Sequence, residues 1–306
     1  MAPTKLQFVT TDVFTTKAYE GNPLGLVRLP KSQKLTQDQK QKIAFEFNLS
    51  ETVILHESEE SYRTSEWTFD IFITTSEIPF AGHPTIGTIC YLGRSLQATG
   101  SGGVIEGKLK CKAGLIPWKY DTSSGAASAE IPHDSHLHST SLDIRGLHAI
   151  GVQEDVTKSF LNSAPIVSIV KGMTFCLSLP REGLTPEYAS TGVAGLFFYH
   201  VTGEGAADGT TGIRTRMIRT RMILDHLEDP ATGSASATLS VYLSKHHPKL
   251  RNTQQKLHKF ELTQGVEIGR KSVIGVDVSL DGAGKVEKVV LNGTAVEIME
   301  GNITVP

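Results

Sequence analysis

A six-residue pattern occurs twice in the sequence and constrains the fold more than any other feature. The pattern x-P-x-x-G-[ST] appears as HPTIGT at 83–88 and as DPATGS at 229–234, each time just before an apolar stretch with helical spacing. A second pair, GVIEGK at 103–108 and GVEIGR at 265–270, follows in the same order. These ordered matches favour two duplicated halves, each with a helix that begins at the proline motif.

Chain length agrees with this division, since 306 residues are enough for two domains of about 150 residues. We predict an N-terminal domain over residues 1–127, completed by a C-terminal strand at 295–306, and a C-terminal domain over 128–294. The stretch at 120–140, rich in Ser, Ala, Gly and His, is the predicted linker. Strands and helices are mixed without regular βαβ alternation, which indicates an α+β fold.

Local signals predict the first elements of the chain. Alternating residues over 6–14 and the apolar run 24–29 flank the turn EGNP, which predicts a hairpin. Thr36 is the predicted N-cap of the helix that follows, and Asn48 its end.

Composition limits the classes of partner. The formal net charge is −2, with 39% hydrophobic and 20% charged residues, and no stretch reaches 18 apolar residues. The N-terminus lacks the apolar segment of a signal peptide, and the three cysteines form no CxxC pair. We expect a cytoplasmic protein that binds a small molecule and neither nucleic acid nor a membrane.

The second proline motif has a composition that helix capping does not explain. Asp229 is a favoured N-cap residue type, and Pro230 is tolerated in a first helical turn. The following residues, 231–236, are all small, which lets a ligand or another backbone approach the helix N-terminus. Free N–H groups there favour an anion such as a substrate carboxylate. His83 occupies the matching point of the first half, so both helix N-termini are expected to face one cleft between the domains.

The chain resembles the PhzF-type phenazine-biosynthesis family, which has the diaminopimelate-epimerase-like fold. The residues that carry the resemblance span most of the chain in the family's order: GNP at 21–23, LSET at 49–52, FAGHPTIGT at 80–88, EDPATGSA at 228–235 and QGVEIGR at 264–270. The resemblance implies two similar domains, each a mixed β-sheet wrapped around a central helix, with the active site in the interdomain cleft. It also implies a homodimer.

The same resemblance implies the chemistry. Glu51 matches the family's general acid/base, while His83, Asp229 and Ser234 match residues that orient the substrate and assist proton transfer. The reaction implied is an isomerisation in which a proton and a double bond move within a small, anionic, dihydro-hydroxyanthranilate-type cyclic acid, without a metal or an organic cofactor. The residues expected to bind the substrate are Asn22, Ser50, Gly82, Pro84, Thr85, Gly233, Ser234 and Ala235.

Other functions remain open from the residues alone. Periodicity by itself would make Glu51 an ordinary exposed glutamate, and the family fold could serve a binding protein without turnover. A serine hydrolase using Ser234 is disfavoured because the sequence has no GxSxG elbow. Epimerases of the broader fold use two cysteines, one in each half, as paired acid and base. Neither proline motif contains cysteine, so a two-thiol racemase is disfavoured.

Two further features stay outside these hypotheses. Three histidines, at 133, 136 and 138, could suggest a metal site, but no carboxylate or cysteine pattern accompanies them, so a solvated linker is favoured. The pentapeptide IRTRM occurs at 213–217 and again at 218–222, and nothing in the sequence shows which copy is in register with the family.

Overall fold

A computed structural model of the chain describes residues 4–143, 163–170, 173–177, 193–204, 215–224, 227–247, 250 and 256–306. Within these residues the helices are α1 (Gln37–Phe47), α2 (Glu59–Thr64), α3 (Gly82–Ala98) and α4 (Gly233–His246). The strands are β1 (Lys5–Val13), β2 (Asn22–Pro30), β3 (Thr52–Glu57), β4 (Glu66–Phe72), β5 (Glu77–Ile78), β6 (Val104–Cys111), β7 (Gly114–Asp121), β8 (Ala126–Glu130), β9 (His136–Asp143), β10 (Ser163–Val170), β11 (Met173–Leu177), β12 (Val193–Glu204), β13 (Thr215–Leu224), β14 (Leu227–Asp229), β15 (Leu257–Gln264), β16 (Ser272–Leu280), β17 (Val286–Gly293) and β18 (Ala295–Thr304).

The predicted opening elements are confirmed. β1 and β2 pair antiparallel, with Val13 opposite Asn22 at the turn. The hydroxyl of Thr36 accepts a hydrogen bond from Gln39 N at 3.2 Å, and Gln39 Oε1 accepts one from Thr36 N at 3.0 Å, so α1 begins with a capping box. It ends at Asn48, whose φ of 49° is left-handed, a conformation that asparagine tolerates well.

The described strands belong to one continuous mixed sheet that joins the two ends of the chain. β1 pairs antiparallel with both β2 and β18, so the C-terminal strand completes the sheet of the first half. β8 pairs antiparallel with β7 and with β17, and this second connection links the halves. Among the described strands, the β8–β17 pair is where the sheet passes from one half to the other.

Each of the two longest described helices packs mainly against the strands of its own half, and both also contact β17. α3 contacts β1, β2, β3, β7, β8, β17 and β18, whereas α4 contacts β10, β11, β15, β16 and β17. Both helices are buried along most of their length, which explains why their sequences carry few charged residues. The α+β architecture with a central helix in each half agrees with the expectation from the repeated motif.

The predicted linker at 120–140 is wrong as a structural assignment. Most of it forms β7, β8 and β9, and Ala127 and Ala129 of β8 are fully buried next to α3. Small side chains are abundant there because the strand packs against a helix, and not because the segment is flexible. A domain boundary at 127/128 would divide β8, and the division of the chain into domains stays a prediction.

The doubled IRTRM lies along a single strand rather than across a hairpin. β13 contains the second copy together with the last three residues of the first, and it pairs antiparallel with β12 and parallel with β15. Residues 213 and 214 of the first copy lie outside the described residues. In the part of the chain described here, no helix has both the length and the apolar composition needed to cross a bilayer.

Candidate active site

The N-termini of α3 and α4 lie against each other. A Cβ atom added to Gly82 would lie 2.9 Å from the Cα and C atoms of Gly233, closer than real side chains approach a backbone. Neither N-cap residue, Ala81 or Thr232, caps its helix through its side chain. The glycines at 82 and 233 are therefore explained first by backbone packing, and the arrangement directs the first-turn N–H groups of both helices to one region.

The structure corrects the capping role predicted for Asp229. α4 begins at Gly233 with Thr232 as its N-cap, and Asp229 lies at the end of β14, four residues before the helix. Its carboxylate instead binds side chains: Asn22 Nδ2 donates to Oδ1 at 2.7 Å, and Thr232 Oγ1 donates to Oδ2 at 2.6 Å. Capping is replaced by a buried polar network.

Glu51 and His83 lie in contact on the side of the site formed by the N-terminal half. His83 Nδ1 is 3.3 Å from Glu51 Oε2. The His83 side chain is 3% exposed, and the Glu51 side chain is 18% exposed, so solvent reaches this carboxyl only in part. His83 Nε2 is buried and has no hydrogen-bond partner among the described residues. A neutral imidazole can donate from one ring nitrogen and accept at the other, and the backbone of Pro23 is a further polar neighbour of this ring.

Asn22 connects the two halves of the site. It ends the turn between β1 and β2, and its side-chain nitrogen donates to Asp229 Oδ1 and to the carbonyl of Ala231 at 2.8 Å. Its side-chain oxygen accepts a hydrogen bond from Ser50 Oγ at 3.3 Å. Because Ser50 precedes Glu51, this amide fixes the distance between the segment that carries Glu51 and the segment that carries Asp229.

Burial shifts the pKa values of all three ionisable groups. It raises the pKa of Glu51 to about 7, because a carboxylate is poorly solvated there. Burial and the neighbouring Glu51 charge also raise the pKa of Asp229, whereas its hydrogen bonds from Thr232 and Asn22 act in the opposite direction. Burial lowers the pKa of His83 to about 4, so its ring is neutral at neutral pH. The contact between Glu51 and His83 is therefore not a salt bridge under these conditions.

The remaining predicted site residues lie at the same place in the fold, but not all present a free side chain. Gly82, Pro84 and Thr85 form the first turn of α3, and Gly233, Ser234 and Ala235 the first turn of α4. Thr85 is fully buried and its hydroxyl donates to the carbonyl of Ala81 at 2.8 Å. Ala235 is fully buried and Ser234 is 3% exposed. The roles of these residues stay predictions.

Two residues that hold Asp229 in place are missing from the sequence prediction. Gln264 Nε2 donates to the backbone carbonyl of Asp229 at 2.8 Å and to Thr232 Oγ1 at 3.0 Å. Thr232 lies in EDPATGSA and Gln264 in QGVEIGR, two of the stretches that carry the family resemblance. These motifs could have marked both residues as candidates, but they do not show that the two side chains bind each other and Asp229.

Other candidate chemistries find little support in the geometry. Cys90 in α3 is fully buried, and burial raises the pKa of its thiol to about 12, so it is a packing residue and not a nucleophile. His138 Nε2 lies 2.7 Å from the hydroxyl of Ser168, and its ring packs edge-on against His136. Among the residues that the structure describes, no cluster of histidine, cysteine and carboxylate side chains is placed to hold a metal ion.

Comparison with known proteins decides the family. The sequence model described as phenazine biosynthesis-like protein matches residues 11–166 and 198–301. The chain belongs to this family. It is 28% identical, over 96% of its length and 98% of the relative's, to a trans-2,3-dihydro-3-hydroxyanthranilate isomerase of Pseudomonas aeruginosa. The family resemblance read from the sequence is thus confirmed, and so is the expected enzyme class, an isomerase.

Solved structures confirm the fold. A PhzF-family phenazine biosynthesis protein of Bacillus anthracis superposes with a TM-score of 0.71 at 21% identity, covering 99% of this chain and all of that one. A hydroxyproline epimerase from Agrobacterium vitis superposes with a TM-score of 0.64 at 13% identity, covering 98% of this chain and 93% of the epimerase. Family members therefore share the diaminopimelate-epimerase-like architecture with racemase-type enzymes, as predicted for this chain.

Proposed function

We propose that this protein is a cofactor-independent isomerase in which Glu51 transfers a proton between two carbon atoms of a small cyclic carboxylic acid. The observation that carries the proposal is the position of Glu51: a partly shielded carboxyl, with its pKa raised by burial to about 7, in contact with His83 beside two converging helix N-termini. A group that removes and then returns a proton works best when its pKa is close to the working pH.

The proposed reaction needs no external reactant. The Glu51 carboxylate takes a proton from a carbon next to an acidifying group, and the electrons of that C–H bond enter the conjugated system of the substrate. Protonated Glu51 then returns the proton to another carbon on the same face, where a new C–H bond forms. One double bond moves, and substrate and product have the same composition and oxidation state.

The helix N-termini supply the binding energy for an anion. Thr232 N is satisfied by Gln264 Oε1, whereas the first-turn N–H groups of α3 and α4 precede the regular helical hydrogen bonds. Together with the helix dipoles, these groups favour a carboxylate and stabilise negative charge that develops on the substrate during proton transfer. This supports a small anionic substrate held between the two proline motifs.

Neutral His83 and the Asp229 carboxyl are proposed to orient the substrate. The unpartnered Nε2 of His83 offers one hydrogen-bonding position. Asp229 faces Glu51 from the C-terminal half, and burial together with repulsion from the Glu51 carboxylate raises the pKa of Asp229. The name of the Pseudomonas relative supports a hydroxy- and amino-substituted cyclic acid as the substrate class.

The test is turnover of trans-2,3-dihydro-3-hydroxyanthranilate and related cyclic acids in D₂O, followed by mass spectrometry and NMR. The intact enzyme should form an isomer that contains solvent deuterium. Glu51→Gln should lower kcat by about 10²–10⁴-fold, the usual contribution of a general acid/base. Glu46→Gln, an exposed glutamate of α1, is the matched control and should retain full activity.

Two outcomes would overturn the proposal. Unchanged turnover by Glu51→Gln would remove this residue from the chemistry. Ligand-dependent stabilisation without any product, over the set of compounds, would identify a binding protein that keeps the family fold.

The assembly and location implied by the family remain predictions. We expect a cytoplasmic homodimer that binds neither nucleic acid nor a membrane. Light scattering coupled to size-exclusion chromatography measures the oligomeric state, and a monomer at micromolar concentration would contradict the dimer.

A further inference from the structure

Both oxygens of the Asp229 carboxylate accept hydrogen bonds from side chains whose orientation is fixed. Asn22 Nδ2 lies 2.7 Å from Oδ1, and Thr232 Oγ1 lies 2.6 Å from Oδ2. Asp229 is 5% exposed, so water contributes little to its solvation. An ionised carboxylate accepts hydrogen bonds at both oxygens, whereas a protonated carboxyl must also find an acceptor for its own hydrogen. The surroundings of Asp229 therefore favour the ionised form.

The direction of the Thr232 hydroxyl is set by Gln264. The amide nitrogen of Gln264 donates to Thr232 Oγ1 at 3.0 Å and to the carbonyl of Asp229 at 2.8 Å, while its oxygen accepts from Thr232 N at 3.1 Å. These three bonds fix which end of the amide is nitrogen. Since Thr232 Oγ1 accepts a hydrogen bond from Gln264, the single hydrogen of the Thr232 hydroxyl is directed at Asp229.

The Asn22 amide is fixed in the same way. Its nitrogen donates to two oxygens, Asp229 Oδ1 and the carbonyl of Ala231, and its oxygen accepts from Ser50 Oγ. A flipped amide would direct its oxygen at two other oxygens. Asn22 is thus a donor to Asp229 and not an acceptor from it.

Glu51 has a different environment. Its Oε2 atom lies 3.3 Å from His83 Nδ1, and the hydroxyl of Ser50 is a second polar neighbour of the carboxyl. The ionisable groups that face Asp229 are Glu51 and His83, and the imidazole is neutral near pH 7 because burial lowers its pKa. Two neighbouring buried carboxyls hold one proton between them over a wide pH range, and the hydrogen-bond donors decide which of the two carries it.

We propose that Thr232 and Gln264 are positioning residues that keep Asp229 ionised and thereby leave the shared proton on Glu51. The inference deepens the proposed isomerase function and rests on it for its catalytic meaning. Glu51, the more exposed of the two carboxyls, is then the group that gains and loses a proton during turnover, while Asp229 keeps a constant charge. Gln264 acts on Asp229 through Thr232, from a different strand, β15.

The test measures the ionisation of Asp229 directly. Protein labelled with ¹³C at the aspartate carboxyl is titrated by NMR, and the Asp229 signal is assigned by its absence in Asp229→Asn. In the unaltered protein, Asp229 should become ionised at a lower pH than Glu51, which is followed in the same way with labelled glutamate. Thr232→Val should raise the titration midpoint of Asp229 by about one pH unit or more, a tenfold change in proton affinity.

Three further variants separate this role from simple packing. Thr232→Ser keeps the hydroxyl and should retain the original midpoint. Gln264→Leu frees the hydroxyl to rotate and should shift the midpoint in the same direction as Thr232→Val. Thr238→Val removes a buried hydroxyl of α4 that donates to the carbonyl of Ser234, and should leave the Asp229 titration unchanged.

The inference and the proposed function fail in different ways. An unshifted Asp229 midpoint in folded Thr232→Val, or in Gln264→Leu if the first variant does not fold, overturns the inference. Ionisation of Glu51 before Asp229 in the unaltered protein also overturns it. None of these measurements uses turnover, whereas retained activity of Glu51→Gln overturns the proposed function alone.

Discussion

Gly82 and Gly233 lie so close together that a Cβ atom on either one would come within about 3 Å of the other's backbone. Each glycine is the first residue of a central helix: Gly82 directly precedes the first copy of the repeated proline motif, and Gly233 lies within the second copy. The contact joins the two halves at the candidate active site. His83, next to Gly82, and Asp229, four residues before Gly233, interact electrostatically across this contact.

We predict that Gly82→Ala destabilises the protein and disrupts the site. The added methyl group would lie 2.9 Å from Gly233 and from a methyl group of Leu291, so the helix starts must separate. Overpacking of this kind costs about 1–3 kcal/mol of the free energy of unfolding, measured by urea denaturation. Gly102→Ala is the control, because its Cβ would meet nothing within 4 Å. Equal stability of the two variants would contradict the prediction.

Removal of the Glu51 charge should stabilise the protein at alkaline pH. Folded Glu51 keeps its proton up to pH 7 or so, while unfolded glutamate loses it at about 4.3, so the free energy of unfolding falls as pH rises between these values. Glu51→Gln lacks this loss and should be more stable by about 1–3 kcal/mol at pH 8, with no difference near pH 4. Thermal unfolding over this pH range measures the effect, and a constant difference between the two proteins would argue against a raised pKa.

The pH dependence of kcat/KM should show an acidic limb near pH 7. If Glu51 removes the proton, the enzyme needs its carboxylate, which is lost below the raised pKa of about 7. His83 stays neutral over this range, because its pKa is lowered to about 4, and does not contribute a limb above pH 5 or so. The measurement is initial rate against pH at low substrate concentration. Full activity at pH 5 would contradict the assignment of Glu51 as the base.

An ion pair ties the Asn22 turn to the loop after Gln264. Arg270 Nη2 donates to Asp12 Oδ1 at 2.5 Å, and Arg270 Nε donates to the carbonyl of Gly21 at 2.9 Å. Asp12 is 4% exposed, so loss of its partner leaves a buried charge. We predict that Arg270→Ala destabilises the protein by about 2–4 kcal/mol and that adding Asp12→Asn restores part of this loss.

The control for this ion pair is Arg63→Ala. Arg63 and Glu60 form a pair on α2 whose side chains are 74% and 58% exposed, and its loss should change the free energy of unfolding by less than about 1 kcal/mol. A similar loss of stability in Arg270→Ala and Arg63→Ala, both measured by urea denaturation, would show that the Asp12 pair is no more important than a surface contact.

The comparison between sequence and structure shows which signals are local. Thr36 and Asn48 bound α1 as predicted, because a capping hydroxyl and a left-handed asparagine act within one helical turn. Asp229 is different: Asp-Pro before small residues is also a good helix start, yet the carboxylate binds Asn22, which is 207 residues away in the chain. No local pattern distinguishes these two uses of an aspartate.

The prediction of a linker at 120–140 was wrong for a related reason. Serine and alanine are frequent in linkers, but they are also frequent where a strand must pack closely against a helix, as Ala127 and Ala129 do. Composition reports the size of the side chains and not what lies beside them. On one side β8 pairs with β17. No pattern in the sequence near β8 predicts this pairing.

The sequence by itself determined the family, because the motifs that carry it have specific residue types and spacing, and the same motifs predicted Glu51, His83 and Asp229 as site residues. Only the tertiary structure decided that Gly82 meets Gly233, that Asp229 is not a cap, and that Thr232 and Gln264 direct hydrogens at its carboxylate. The physical reason is distance along the chain. Hydrogen bonds and close packing act over a few ångströms in space, and at this site their partners are separated by up to 209 residues of sequence.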